Sequence, residues 1–213
     1  MRPVWLGAVT VCLGLGGVAR GAETDFLPDN RQWNGLSELS AVARGLQQSL
    51  QLVDHIDWGR LGVGPALLLV YPRGELPEEQ LLAFVRGGGR ILIADDFGDA
   101  EGLLARLCIR RIAGARLRTA ATYQGNPRLP VATAGPAYHR LVRGVDSIVT
   151  NHPAYFLSRL PTLAGFDDGR QQLLVAGEIG RGRFVALSDP SVLINGMLRF
   201  SGNLTFATQL LRY

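Results

Sequence analysis

The sequence predicts an α/β domain in which a mostly parallel sheet carries helices on both faces. Short, continuous apolar runs such as PALLLVYP (65–72) and RILIADD (90–96) alternate with amphipathic helical segments. A strand that lacks polar–apolar alternation is typical of a sheet buried on both faces. Strand–helix–strand units with short loops form parallel pairs, because the helix returns the chain to the same end of the sheet.

Each predicted element has its own local signal. The helices have apolar residues three and four positions apart, and the second opens with Pro77 and two acids and ends in glycines. Cys108 lies at the end of the third helix, where it is expected to be buried like most free cysteines. Helices are predicted over 34–46, 76–89, 99–109 and 201–213, and strands over 49–56, 65–72 and 90–96.

The pattern weakens between 110 and 170, where five prolines interrupt the sequence and only short strands and loops are expected. Beyond it, QQLLVAGEIGRGRFVALSDP (171–190) predicts two strands joined by a glycine-rich turn. This carboxyl-terminal hairpin is expected to add an antiparallel edge to the sheet.

The first residues have the layout of a secretory signal peptide. Arg2 precedes an apolar run from Val4 to about Ala19, and small residues at 19 and 21 favour cleavage before Ala22. The apolar run is short for a bilayer span. We therefore expect 1–21 to be a signal and the rest to be exported, either periplasmic or secreted, without a stable membrane span. An uncleaved amino-terminal anchor is the alternative.

Charge argues against a nucleic-acid partner. The formal net charge is +4, and arginine supplies all of the positive side chains because lysine is absent. The five arginines of RLCIRRIAGARLR (106–118) alternate with apolar residues, which is typical of the exposed side of a strand and a helix end. Few aromatic side chains accompany these arginines, whereas a nucleic-acid groove would be expected to contain them.

Three segments carry a resemblance to a known family: LPDNRQWNGLSEL (27–39), residues 69–98 around RILIADD, and GRFVALSDPSVLINGMLRFSGN (182–203). They resemble the bacterial family called domain of unknown function 4350, over nearly all of 22–213. More distantly, FVRGGGRILIADDFG (84–98) and the hairpin resemble class I glutamine amidotransferase-like proteins of the non-catalytic, trehalose-utilisation type. The resemblance implies one domain over 22–213, with a flavodoxin-like or amidotransferase-like sandwich.

Asp95 and Asp96 follow a buried strand on a sharp glycine turn. In catalytic amidotransferases this turn carries a nucleophilic cysteine, where the present chain has Asp96, so amidotransferase activity is not expected. Three roles stay open for the acidic turn. Asp96 or Asp99 caps the helix near Ala100, the carboxylates bind a ligand, or they perform acid–base chemistry.

Other polar residues also follow predicted strands or precede the first helix. Because ligands bind at the carboxyl ends of parallel strands, these residues are expected to form one ligand-binding rim. Turn chemistry alone is the competing interpretation, since Asn, Asp and Ser are common in turns. The predicted rim comprises Asn30, Trp33, Asn34, Tyr71, Asp95, Asp96, Ser188, Asp189 and Asn195.

The sequence leaves three functions open. The first is an exported, non-enzymatic binding or assembly module of the bacterial cell envelope, with an envelope- or transport-associated protein or a small polar ligand as partner. The second is a carbohydrate-binding domain, suggested by Trp33 between Asn30 and Asn34. The third is a hydrolase that uses Asp95 or Asp96 as its catalytic carboxylate. No pattern of spaced ligands predicts a metal, and no cofactor is expected.

Overall fold

The computed structural model describes residues 9–13, 25–53, 55–114, 117–118 and 121–213. The strands are β1 (Val9–Leu13), β2 (Ser49–Val53), β3 (Ala66–Val70), β4 (Arg90–Ala94), β5 (Arg110–Ile112), β6 (Val131–Ala134), β7 (Ser147–Val149), β8 (Tyr155–Leu157), β9 (Ala164–Phe166), β10 (Gln171–Ile179) and β11 (Gly182–Leu187). The α-helices are α1 (Ser37–Gly45), α2 (Glu78–Arg86), α3 (Glu101–Arg106), α4 (Asn195–Leu198) and α5 (Ser201–Arg212).

The strands form one mixed sheet that curls strongly into half a barrel. Nine strands follow the order β2-β1-β3-β4-β11-β10-β9-β6-β7, and β5 and β8 branch from this path beside β10. Among the described residues, four strand pairs are parallel and six are antiparallel. The expectation of a mostly parallel, flavodoxin-like or amidotransferase-like sandwich is therefore wrong.

The strand β11 marks the change from parallel to antiparallel pairing. It runs parallel to β4 on one side and antiparallel to β10 on the other. The hairpin of β10 and β11 was expected at the edge of the sheet, but it lies in the middle. The reason is that β6, β7 and β9 extend the sheet beyond β10. These strands have only three or four residues each, too few to show a periodic pattern in the sequence.

Two apolar cores lie on the two faces of the sheet. Along β3 the side chains alternate, so that Leu68 and Val70 join the core beneath α1 and α5, while Leu67 and Leu69 join the core beneath α2 and α3. Each such side chain stabilises the fold by about 1.5–3 kcal/mol when fully buried. This double burial explains why the apolar runs at β3 and β4 were continuous in the sequence.

The environment of Cys108 differs from the expected one. Cys108 is exposed, because α3 ends at Arg106 and Cys108 lies in the following turn with a φ of 57°. The expectation that it is buried is therefore wrong.

The structure pairs Val9–Leu13, a segment of the proposed signal, with both β2 and β3. The proposed cleavage position before Ala22 lies outside the described residues.

No helix within the described ranges has the length and hydropathy that crossing a bilayer requires.

We predict that Asn203 is a principal polar anchor of α5. Its fully buried amide accepts a hydrogen bond from the Val149 N–H and donates one to the Val149 carbonyl, both at 2.8 Å. Asn203→Ala leaves both backbone groups of β7 without these partners, so the free energy of unfolding should fall by about 2–4 kcal/mol in urea denaturation. Thr208→Ala, which removes an exposed hydrogen bond within the same helix, should cost less than about 1 kcal/mol. Equal losses in the two variants would contradict this role.

Candidate binding site at the carboxyl ends of the parallel strands

Three neighbouring parallel strands end at the same edge of the sheet. Val70 of β3 pairs with Ala94 of β4, and Ala94 pairs with Leu187 of β11. The residues after these positions, namely Tyr71, Asp95, Asp96, Ser188 and Asp189, therefore emerge side by side. We call this edge, together with the loop 25–36 that lies against it, the carboxyl rim.

The Asp95 side chain stabilises the turn that follows β4. Its fully buried carboxylate accepts hydrogen bonds from the backbone N–H groups of Gly98 at 2.7 Å and Ala100 at 3.0 Å. It also forms an ion pair with Arg111 of β5, whose side chain is buried as well. Burial raises the pKa of Asp95, and the Arg111 charge opposes that rise. The expectation that Asp96 or Asp99 caps this helix is wrong, because no side chain caps α3: Asp96 accepts the Phe97 N–H and Asp99 accepts the Gly74 N–H.

Asp96 and Asp189 are the acids at the strand ends that form no salt bridge, although the Arg111 charge acts on Asp96 from a greater distance and lowers its pKa slightly. No Arg or His side chain among the described residues forms a salt bridge with either. Asp96 accepts the Phe97 N–H at 2.7 Å, and burial, assisted by the neighbouring Asp95, raises its pKa to about 6. Burial and the charge of Asp96 raise the pKa of Asp189 to about 7. Both carboxyls therefore take up protons far more readily than exposed aspartates do.

The fully buried side chain of Asp189 also organises the backbone around it. It accepts hydrogen bonds from the N–H groups of Asn151 at 2.6 Å and Ser191 at 2.8 Å. Its position fixes the loop after β7 against the end of β11. Asp96 is 7% exposed, so it is the acid of this pair that a ligand can reach.

Two further predicted site residues are structural. The Ser188 hydroxyl is fully buried and donates to the Ala154 carbonyl at 3.0 Å. The buried Asn195 accepts the Glu38 N–H at 2.8 Å and donates to the Gln32 carbonyl at 2.6 Å. With these groups satisfied within the chain, Ser188 and Asn195 position the rim and are not available to a ligand.

Asn195 further donates to the Asn30 carbonyl at 3.0 Å, which joins α4 to the loop 25–36. Within that loop the Asn30 amide donates to Asn34 at 3.3 Å, and Asn34 donates to Asp25. Trp33 is held only through its backbone, which accepts the Gly196 N–H, and 67% of the residue is exposed. Of this loop's predicted residues, Trp33 is therefore the one whose side chain is presented to solvent.

Tyr71 links the loop to the strand ends. Its ring packs against Phe26 with 5.5 Å between centroids, and the Arg73 guanidinium lies 4.4 Å from its ring centre. Burial raises the pKa of the Tyr71 phenol, the Arg73 charge opposes that rise, and the nearby carboxylates add to it. A φ of 50° places Tyr71 in the left-handed region, which is costly for a residue with a side chain.

The structure adds residues that sequence reasoning missed. Phe97 follows Asp96 and is 49% exposed, so it extends the apolar surface of the rim. Arg111 was expected on the exposed side of a strand, but its side chain is buried against Asp95. The alternation along β5 was a usable signal: in Arg110-Arg111-Ile112, successive side chains face opposite ways, so one of the two arginines must face inward.

The arrangement suits recognition by hydrogen bonding and aromatic contact. A protonated carboxyl donates and accepts hydrogen bonds, and exposed Trp and Phe rings supply apolar contact area. Within the described ranges, no three His, Cys, Asp or Glu side chains lie close enough to share a metal ion. The candidate contact residues of the rim are Trp33, Asn34, Tyr71, Asp96 and Phe97.

We predict that the buried acids make stability depend on pH. Because the pKa of Asp189 is higher in the folded chain than in the unfolded one, its stabilisation is complete below about pH 4 and is lost as pH rises through about 7. Asp189→Asn removes this titration, so the difference in the free energy of unfolding between pH 4 and pH 8 should be smaller in the variant than in the wild type. The amide keeps only one of the two oxygens that accept the Asn151 and Ser191 N–H groups, and this loss lowers the free energy of unfolding of the variant at both pH values. Urea denaturation at both values tests this.

Asp168→Asn, which changes an exposed aspartate on another loop, is the matched control for that experiment. The same pH dependence in the wild type and in Asp189→Asn would show that Asp189 is not the titrating group.

Comparison with solved structures reveals the same fold in other proteins. The chain is similar to the N-terminal domain of mmIFT52, with a TM-score of 0.74 and 15% identity over 96% of this chain and 97% of that one. It is also similar to the cytoplasmic protein STM1381 from Salmonella typhimurium LT2, with a TM-score of 0.68 and 13% identity over 96% and 98% of the two chains. At this level of identity the likeness concerns the fold alone.

A third similar structure is the exo-β-1,4-mannosidase Op5Man5 from Opitutaceae bacterium strain TAV5. The TM-score is 0.56 and the identity 13%, and the match covers 96% of this chain but only 34% of the mannosidase. No curated protein matches the chain in sequence. A family model matches residues 28–211, which is most of the chain. The protein therefore belongs to the family described as domain of unknown function DUF4350.

Proposed function

We propose that this chain is a non-enzymatic binding module of the bacterial cell envelope, and that the carboxyl rim is its binding surface. One observation carries the proposal. The Asp96 carboxyl acts on Asp189 through its charge and forms no salt bridge with the described residues, and the exposed aromatic side chains of Trp33 and Phe97 belong to the same rim. An incoming N–H or O–H donor would relieve the repulsion between the two acids, and the aromatic rings would cover its apolar part.

The same geometry favours binding over hydrolysis. A hydrolase needs a carboxylate that reaches its substrate together with a second group in a defined role. Asp95 is already bound to Arg111 and two backbone N–H groups, and Asp189 is fully buried. That leaves Asp96, which is buried but 7% exposed, as the acid of the three that a substrate can touch. The partner that fits is a protein segment or a small polar ligand with hydrogen-bond donors.

A carbohydrate is the second candidate partner, because Trp33 is largely exposed on a loop whose neighbouring Asn34 is a hydrogen-bonding residue. Sugars combine apolar ring faces with hydroxyl groups, which such a pair of residues contacts. The carbohydrate would then bind through the loop 25–36 and would depend less on Asp96.

Location at the envelope rests on the amino-terminal charge, apolar run and small residues. Export with cleavage before Ala22 would remove β1 and leave the facing edges of β2 and β3 without that partner. Retention of an uncleaved amino terminus would keep β1 attached to the sheet. The two forms of the protein are therefore distinguished by their first residue.

We predict that a photo-crosslinking residue at the rim captures a partner in cells. Phe97→p-benzoylphenylalanine should yield a discrete adduct on illumination, because the side chain is exposed beside Asp96. The same residue at Tyr138, which is 85% exposed but lies outside the rim, is the matched control and should yield none. Adding Asp96→Ala should remove the adduct while circular dichroism stays unchanged.

Equal adducts at the two positions, or adducts that persist in Asp96→Ala, would contradict the proposal. Glycan-array binding that is lost in Trp33→Ala, without any protein adduct, would instead establish the carbohydrate-binding function. Turnover of ester, glycoside or amide substrates that disappears in Asp96→Asn would show that the protein is an enzyme.

We further predict that the chain is processed during export. Cell fractionation with amino-terminal sequencing should find it in the periplasm or the medium, beginning at Ala22 or within a few residues of it. A product that begins at Met1 in the cytosol would contradict export. The same product in washed membranes would show that the amino terminus is an anchor.

A further inference from the structure

The opposite edge of the sheet carries a second set of like charges. Arg90 begins β4, and its register partner on the neighbouring parallel strand β11 is Arg183. Both residues are partly buried. Side chains directly opposite each other on neighbouring strands lie close together, and like charges at such positions are destabilising. Two arginines at this position therefore call for a compensating anion.

Strand alternation places both arginines on the face that α5 covers. Leu92 and Val185, two residues further along the same strands, belong to the core beneath α5. A cavity of about 40 Å³ lies between these strands and the end of the helix, lined by Arg90, Arg183, Leu68, Leu92, Leu211 and Tyr213. The cavity is thus lined mainly by apolar side chains, together with residues Arg90 and Arg183.

A third cation approaches from the 3-10 turn Arg140–Val142. The Arg140 guanidinium lies 4.6 Å from the centre of the Tyr213 ring, and the Arg183 guanidinium lies 5.0 Å from it. The aromatic ring therefore holds two arginines near the mouth of the cavity. Burial lowers the pKa of Arg90, and the positive charges of Arg183 and Arg140 lower it further, so the three cations repel one another.

The described part of the chain does not neutralise this cluster. None of its carboxylates lies within 4 Å of Arg90, Arg140 or Arg183. Arg90 donates to the Gly64 carbonyl at 2.5 Å, which occupies one of its five N–H donors. The carboxyl-terminal end of α5 adds a partial negative charge near the cluster. Most of the guanidinium N–H donors have no hydrogen-bond partner among the described residues.

We propose that Arg90, Arg140 and Arg183 form a binding site for a small oxyanion, a phosphate or carboxylate group held at the amino ends of β4 and β11. Guanidinium groups bind both kinds of anion through paired N–H donors. A cavity of about 40 Å³ accommodates a compact headgroup and excludes a long chain. The site is separate from the carboxyl rim, because the five residues of β4 place the two edges about 13–16 Å apart.

The proposal is tested with the whole chain and two simple anions. Sodium phosphate and sodium acetate are titrated at constant ionic strength, and binding is followed by isothermal calorimetry and by the melting temperature. Arg183→Gln removes one charge while retaining an apolar stem. Arg159→Gln changes an exposed arginine outside the cluster and is the matched control. A response to phosphate alone identifies a phosphoryl ligand, and a response to acetate alone identifies a carboxylate.

We expect saturable binding by the wild type and by Arg159→Gln, and binding at least about tenfold weaker in Arg183→Gln, since a charge-assisted hydrogen bond is lost. Arg183→Gln removes a repulsive charge and also the contact with the Tyr213 ring, so the readout is the rise in melting temperature on adding anion, which should be smaller than in the control. The proposal is overturned if neither anion binds the wild type or if Arg183→Gln binds as well as the control.

Discussion

The parallel pairing of β4 with β11 is the constraint on which both ends of the molecule depend. This register aligns Ala94 with Leu187 and Arg90 with Arg183. Asp95 and Asp96 therefore emerge beside Ser188 and Asp189 at one edge of the sheet, while two arginines meet at the other. The apolar residues between the two ends, buried on both faces, hold this register in place. A shift by one residue would reverse the face of every side chain on the strand.

The pairing also explains why charge is left uncompensated at both edges. Among the described acids of the carboxyl rim, Asp95 is the one that forms a salt bridge, with Arg111 of β5, and β5 pairs with β8 outside the main strand path. Burial of Asp189 then keeps its pKa high. Where the packed core brings like charges together, the chain tolerates their repulsion only because the surrounding apolar contacts are larger. A ligand that brings an opposite charge or a hydrogen-bonding group to such a position stabilises the folded state by binding to it.

The fold of this chain does not by itself identify its function. Similar chains occur as the N-terminal domain of mmIFT52, as the Salmonella protein STM1381 and within a mannosidase. One fold that recurs in such different proteins carries function through its surface residues rather than through its topology. For this chain, the surface residues proposed to carry function are those of the carboxyl rim and those of the arginine cluster.

The sequence by itself determined the family, through the segments that resemble it, and the central elements β3, β4, α2 and α5, because local periodicity and turn residues are encoded over a few positions. It did not determine the sheet. Strands of three residues such as β7 and β9 carry no periodicity, so only long-range pairing reveals that they make the sheet mostly antiparallel. The roles of Asp95 and Arg111 were likewise decided by tertiary structure, since their ion pair joins residues sixteen positions apart.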